Sequence, residues 1–186
     1  MSKIIALDSS IIIILAGGGT SVPDGKERML EALEEHDEAG DVVCLPAAAL
    51  AECAHVEESL WNRLRVLNLN APAALLANTI TPDLLAEGKK LGNSKVGPKK
   101  RELKVDAIIL ATAEVANADI LYTTDEWFQK VAKKNKLRVD VREVPPLRVR
   151  QISLPNIADG EASNESTSAA ASVDSSEPRN DSSSDL

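Results

Sequence analysis

Aromatic side chains are almost absent from this 186-residue chain: Trp61, Tyr122, Trp127 and Phe128 are all it has. A base-stacking sheet of the RRM kind needs several aromatics on one face, so that mode of nucleic-acid binding is disfavoured and the core must be aliphatic and alanine-rich. Cysteine is nearly as scarce. Cys44 and Cys53 are too few for a disulfide framework or a structural zinc site; both read as buried apolar positions, and a reducing cytoplasm is the expected compartment. Long hydrophobic runs are missing too, since the longest aliphatic stretch, Ile11 to Ala16, has six residues where a membrane span needs about 20. No membrane partner is expected. Lys3 could open a secretory signal, but Asp8 interrupts the apolar segment after four residues, so none is predicted.

Several catalytic patterns fail as well. Gly17-Gly18-Gly19-Thr20-Ser21 lacks the Gly-Lys-Ser/Thr ending of a phosphate-cradling loop, and no Gly-x-Ser-x-Gly elbow occurs. Glu52 and His55 have di-iron spacing, but that site needs the pair twice, and His36 has no such glutamate partner. Trp127 and Phe128 read as core anchors.

What is present is an ordinary globular composition, 44% hydrophobic and 27% charged, at a length that suits one domain with an appendage. The domain is expected over residues 1–150. Residues 151–186 are predicted to be a disordered acidic, Ser-rich tail, the change being sharpest from Asn156, after which seven acids face the single base Arg179. Charge is segregated in the remainder. Residues 89–104 and 130–150 each carry a net +6, and both are candidate phosphate-facing surfaces.

Residues 3–7 and 41–45 are short, continuously apolar runs of the kind buried on both faces of a parallel sheet. Further strands are predicted at 119–123 and 137–144. Helices are predicted at 9–16, behind an Asp8 N-cap, at 24–40 with Met29, Leu30 and Leu33 as its apolar positions, and from Pro46 to about Glu58. Others follow at 59–67, 72–78, 82–91 (opened by Thr81-Pro82), 103–117 and 126–135. Alternating strands and helices imply a parallel sheet covered on both faces.

Four acids sit awkwardly in this pattern. Open parallel sheets collect ligands at the carboxyl ends of their strands, where Asp8 and Asp125 fall, although each could simply cap the helix that follows. Glu52 interrupts the stripe Ala48, Glu52, Val56, and Asp106 shares a helical face with Leu103, Leu110 and Ala113. A buried carboxylate needs a partner, and no Lys or Arg lies on the Asp106 stripe; a structural salt bridge to a distant base is one answer. A divalent cation neutralising all four is another. Hard oxygen donors suit Mg2+ or Mn2+, and such a centre hydrolyses phosphoesters.

The segment Asp106-Ala-Ile-Ile-Leu-Ala-Thr-Ala113, with Leu121-Tyr-Thr-Thr-Asp-Glu-Trp-Phe128 after it, resembles the C-terminal signature of PIN-domain nucleases, in which an acid opens an Ala-rich helix and a strand leads into Thr-x-Asp-x-x-Phe. Asp8-Ser9-Ser10 is similar to the family's N-terminal motif, Glu52 stands where its helix glutamate is expected, and the compact length is similar to that of VapC-type toxin endoribonucleases. The resemblance implies a three-layer α/β/α fold and Mg2+- or Mn2+-dependent RNA cleavage. It implies metal binding and catalysis by Asp8, Glu52, Asp106 and Asp125, with Ser9 and Thr123 hydrogen-bonding behind them. Lys99, Lys100 and Arg101 are the candidate RNA contacts, and a cognate antitoxin and a homodimer are the partners it leaves open. The rival expectation is a catalytically silent adaptor whose acids are structural.

Overall fold

All five strands run parallel, in the order β3-β2-β1-β4-β5. The computed structural model describes residues 2–18, 22–53, 58–91 and 100–147, within a unit spanning Met1–Val149; the expected tail lies outside the described residues. In chain order the elements are β1 (Ile4–Leu7), α1 (Ser9–Leu15), α2 (Gly25–Glu38), β2 (Val42–Pro46), α3 (Ala47–Glu52), α4 (Glu58–Trp61), β3 (Arg65–Leu67), α5 (Ala71–Leu91), α6 (Lys100–Val115), β4 (Ile120–Tyr122), α7 (Glu126–Lys134) and β5 (Asp140–Arg142). Helices cover both faces of the sheet, giving the three-layer α/β/α arrangement.

β1 lies at the centre because Ile5, Ala6 and Leu7 offer no polar face and are fully buried. From β1 the chain proceeds outward to β2 and β3 on one side; it later returns to β4 beside β1 and proceeds to β5 on the other. The strand order therefore reverses between β1 and β4. At such a switch point the two following loops diverge and leave a crevice at the carboxyl ends of the strands. Asp8 and Asp125 occupy those two loops.

Several sequence expectations need correction. The expected helix over 59–67 is split into α4 and the edge strand β3, whose Arg65 and Val66 are exposed and so carry no buried-strand signature. Thr81-Pro82 does not open a helix: α5 runs straight through Pro82. An interior proline costs about 3 kcal/mol. Burying Ile80 and Leu84 completely returns about 1.5 to 3 kcal/mol each, which is enough to hold the helix together against α6. The helix behind Pro46 ends at Glu52, with Cys53 already extended, rather than continuing to Glu58. Leu30 of α2 is 40% exposed, whereas Met29 and Leu33 pack inward as expected. β5 is a three-residue strand, shorter than the predicted 137–144.

Candidate active site

Asp8 is held by more hydrogen bonds than any other of the four acids. It follows β1, caps α1 and is only 1% exposed. Its backbone N–H donates to Tyr122 O (3.0 Å), which ties the end of β1 to the end of β4. Its Oδ1 accepts the Ser9 N–H at 2.7 Å, and its Oδ2 accepts the hydroxyls of Ser10 (2.8 Å) and Thr123 (2.9 Å). Thr123 Oγ1 in turn accepts the Asp125 N–H at 3.1 Å, so its single proton is committed to Asp8. Ser9 Oγ lies 2.9 Å from Glu52 Oε2 and 3.3 Å from Asp8 Oδ1, and it links those two acids.

Asp106 projects from the second turn of α6 among Leu103, Ala107 and Leu110 and is 7% exposed. The indole N–H of Trp127 donates to its Oδ2 at 3.4 Å. Burial, and then the charges of Asp8, Asp125 and Glu52, push its carboxyl up to about 8, against a lowering by the indole. Asp125 stands at the N-cap of α7 without making a side-chain cap bond, so capping does not account for it. Burial, with Asp8 and Glu52 nearby, pushes its carboxyl up to about 7. Glu52, the last residue of α3, is exposed as a residue, yet desolvation of its carboxyl raises the pKa. The Ser9 hydroxyl opposes that shift, while Asp8 and Glu102 add to it.

The four acids thus feel one another, and among the described residues no Lys or Arg forms an ion pair with any of them. Their oxygens are the hard donors that a divalent cation prefers. Nevertheless, among the described residues no three His, Cys, Asp or Glu are gathered into a ready-made ion cage. The donor chemistry fits a cation; the metal-free side chains are not closed around one. The neighbouring Cys53 thiol is pushed up to about 11 by burial, Asp8 and Glu52, and so stays protonated and makes a poor nucleophile.

The basic stretches fare differently. Lys99 lies outside the described residues, as does His55, and Lys100 and Arg101 are described only as the opening turn of α6, at the same edge of the sheet as the acids. Residues 133–138 of the second stretch, by contrast, lie at the opposite edge, because α7 starts beside Asp125 and descends to feed the parallel strand β5, whereas Arg142 ends β5 beside Tyr122. Two bases are engaged at that far edge: Lys134 with Asp83, and Arg138 with Glu114 and Asn117. Residues 133–138 therefore do not border the acid cluster.

Two further participants escaped sequence reasoning. Ser10 was visible beside Asp8, but only the fold places its hydroxyl between Asp8 and the Thr124 N–H. Trp127, expected as a core anchor, is half-buried and donates to Asp106, whereas Phe128 is the fully buried anchor. A buried acid signals that some donor must exist, but nothing in the spacing from 106 to 127 identifies the indole.

No curated protein matches the chain. Among solved structures it is similar to VapBC2 from Rickettsia felis bound to a DNA fragment from their promoter, at 16% identity and a TM-score of 0.46, over 75% of this chain and 98% of that one. It is also similar to the DNA-bound VapBC from Salmonella typhimurium, at 17% identity and a TM-score of 0.47, over 78% of this chain and 100% of that one. The PIN domain family model matches residues 5–134, a span that includes both acid-bearing loops, strands β2, β3 and β4 and all of β1 but its first residue, and the chain accordingly belongs to the PIN domain family.

Proposed function

We propose that the protein is a Mg2+- or Mn2+-dependent endoribonuclease that hydrolyses RNA phosphodiester bonds, and that it acts as the toxin of a toxin–antitoxin pair. The observation that carries the chemistry is the group of four carboxylates at the β1–β4 switch point with no ion-paired base among the described residues. Membership of the PIN family and the N-terminal and C-terminal motifs support nuclease activity, and the compact length supports the toxin reading. Asp8, Glu52, Asp106 and Asp125 would hold the cation, and Ser9 and Thr123 orient the first two. When bound, a divalent cation lowers the pKa of water and offsets charge developing on the phosphate. Without it, Asp106 retains a proton at neutral pH, because its carboxyl is pushed up to about 8. To hold a cation, Asp106 would have to give up that proton, so cation affinity would rise with pH. Lys99, Lys100 and Arg101 would hold the RNA backbone from the start of α6.

A catalytically silent adaptor is the second reading, and the absence of a closed three-ligand cluster among the described residues is the observation that favours it. Incubating the purified full chain with single-stranded and structured RNAs separates the two. Cleavage with Mn2+ or Mg2+ that stops with chelator is the expected result; cleavage that persists in chelator refutes the metal dependence, and none on any RNA refutes the enzyme. Reversing Lys99, Lys100 and Arg101 should weaken RNA binding and flatten its salt dependence, since fewer counterions are released. An unchanged slope would place the RNA elsewhere.

A further inference from the structure

We infer that Ser10 is a positioning residue that restricts Asp8 to a single cation-binding oxygen, Oδ1, and locks together the two loops that carry Asp8 and Asp125. This rests on the metal-dependent reading of the site. The argument is a proton count. Ser10 Oγ accepts the Thr124 N–H at 3.1 Å, which leaves its own proton for Asp8 Oδ2 at 2.8 Å. Thr123 Oγ1 likewise accepts the Asp125 N–H and donates to the same Oδ2 at 2.9 Å. Both lone pairs of Oδ2 are then in use.

Oδ1 receives the Ser9 N–H at 2.7 Å, while the Ser9 hydroxyl has a shorter path to Glu52 Oε2 (2.9 Å) than to Oδ1 (3.3 Å). One Oδ1 lone pair therefore remains for a cation. The hydroxyls of Ser10 and Thr123 also span the gap between the β1–α1 and β4–α7 loops, 114 and 115 residues apart in sequence. Removing the Ser10 hydroxyl frees one lone pair of Oδ2, leaves Thr123 as the single donor to that oxygen and strands the Thr124 amide. Loss of such an outer partner typically lowers metal affinity by about 10- to 100-fold.

The test is isothermal titration of Mn2+ into the full-length chain as wild type, Ser10→Ala and Ser10→Thr, each with a metal-free melting curve. Expected is a loss of Mn2+ affinity of about 10-fold or more in Ser10→Ala, with most of it restored by Ser10→Thr, which keeps the hydroxyl. Ser10→Ala binding Mn2+ as tightly as wild type, whatever its melting temperature, overturns the inference and makes Ser10 merely structural. Equal losses in both variants overturn it too, because the hydroxyl would then not be the group that matters. If wild type itself takes up no Mn2+, the metal-dependent reading falls first. Should Ser10→Ala not fold, the Ser10→Thr titration still decides, since affinity far below wild type in a folded hydroxyl-bearing variant contradicts the proposed role.

Discussion

The two edges of the sheet treat the same residue types in opposite ways. At the amino edge every acid that matters has a donor. Asp41 accepts the Lys3 N–H and pairs with His36, which together hold its carboxyl below the ordinary range against the opposing effect of burial; Asp119 accepts the Ile4 N–H; Glu114 binds Arg138 and two backbone amides. At the carboxyl edge Asp106 and Asp125 are pushed up to about 8 and about 7, with burial the largest cause and their fellow carboxylates the next. Acids at the first edge fasten the fold. Those at the second are held at a cost to it, which is what a site reserved for a cation requires.

Substitution at one edge against the other is the sharpest way to break this comparison. Asp106→Asn keeps the shape and replaces a carboxyl that the metal-free fold holds protonated at neutral pH with a neutral amide, so the metal-free protein should be no less stable, while Mn2+ affinity and RNA cleavage should drop by roughly 100-fold or more, at or beyond the upper end of the effect of losing an outer-shell partner. Asp41→Ala should do the reverse, costing about 1 to 3 kcal/mol of stability through the lost charged hydrogen bonds and leaving cleavage intact in the folded fraction. Melting curves in chelator and in Mn2+, with cleavage assays, measure both. A large loss of stability for Asp106→Asn in chelator would reveal a structural salt bridge instead.

A pH series sharpens the contrast with a smaller effect. Asp106 and Asp125 have folded-state pKa values of about 8 and 7 against ordinary values of 3.8, so the folded protein binds those protons more tightly than the unfolded chain does. Their stabilising contribution is complete below pH ~4 and is lost as pH rises towards ~8. In chelator, the urea midpoint should therefore fall between pH 5 and pH 8. Mn2+ should restore it at the alkaline end by mass action, and Asp106→Asn should flatten the slope. A flat wild-type profile would mean that neither carboxyl is raised by its burial and its neighbours.

The smallest effect is expected at the amino edge. Arg138→Ala breaks a surface pair worth no more than about 1 kcal/mol, and neither it nor Lys133→Glu should alter RNA affinity or its salt slope. A weakened RNA complex would bring the second basic stretch into the binding surface despite its position at the far end of α7.

Much of this was legible in the amino-acid order, and the reason is local. β1, β2 and β4 are unbroken apolar runs, α1 is bounded by Asp8 and by Gly17 in a left-handed conformation, and the acids at 8, 106 and 125 stand out because each sits beside residues bound for the core. β3 was hidden because a three-residue edge strand with exposed Arg65 and Val66 owes its conformation to pairing with β2 rather than to its own composition. Pro82 misled because the packing that overrides it comes from α6, far along the chain. Trp127 and Ser10 could not be assigned, since their partners lie 21 and 114 residues away.

The sequence by itself determined which acids needed explaining, that strands and helices alternate, and that charge is segregated, because these depend on residue type and short-range periodicity. Only the tertiary structure decided that the strand order reverses between β1 and β4, that both hydroxyls on Asp8 Oδ2 arrive with their protons already directed, and that residues 133–138 of one basic stretch lie at the far edge from the acids. Those outcomes depend on which distant segments the parallel pairing brings side by side, and no local spacing encodes that.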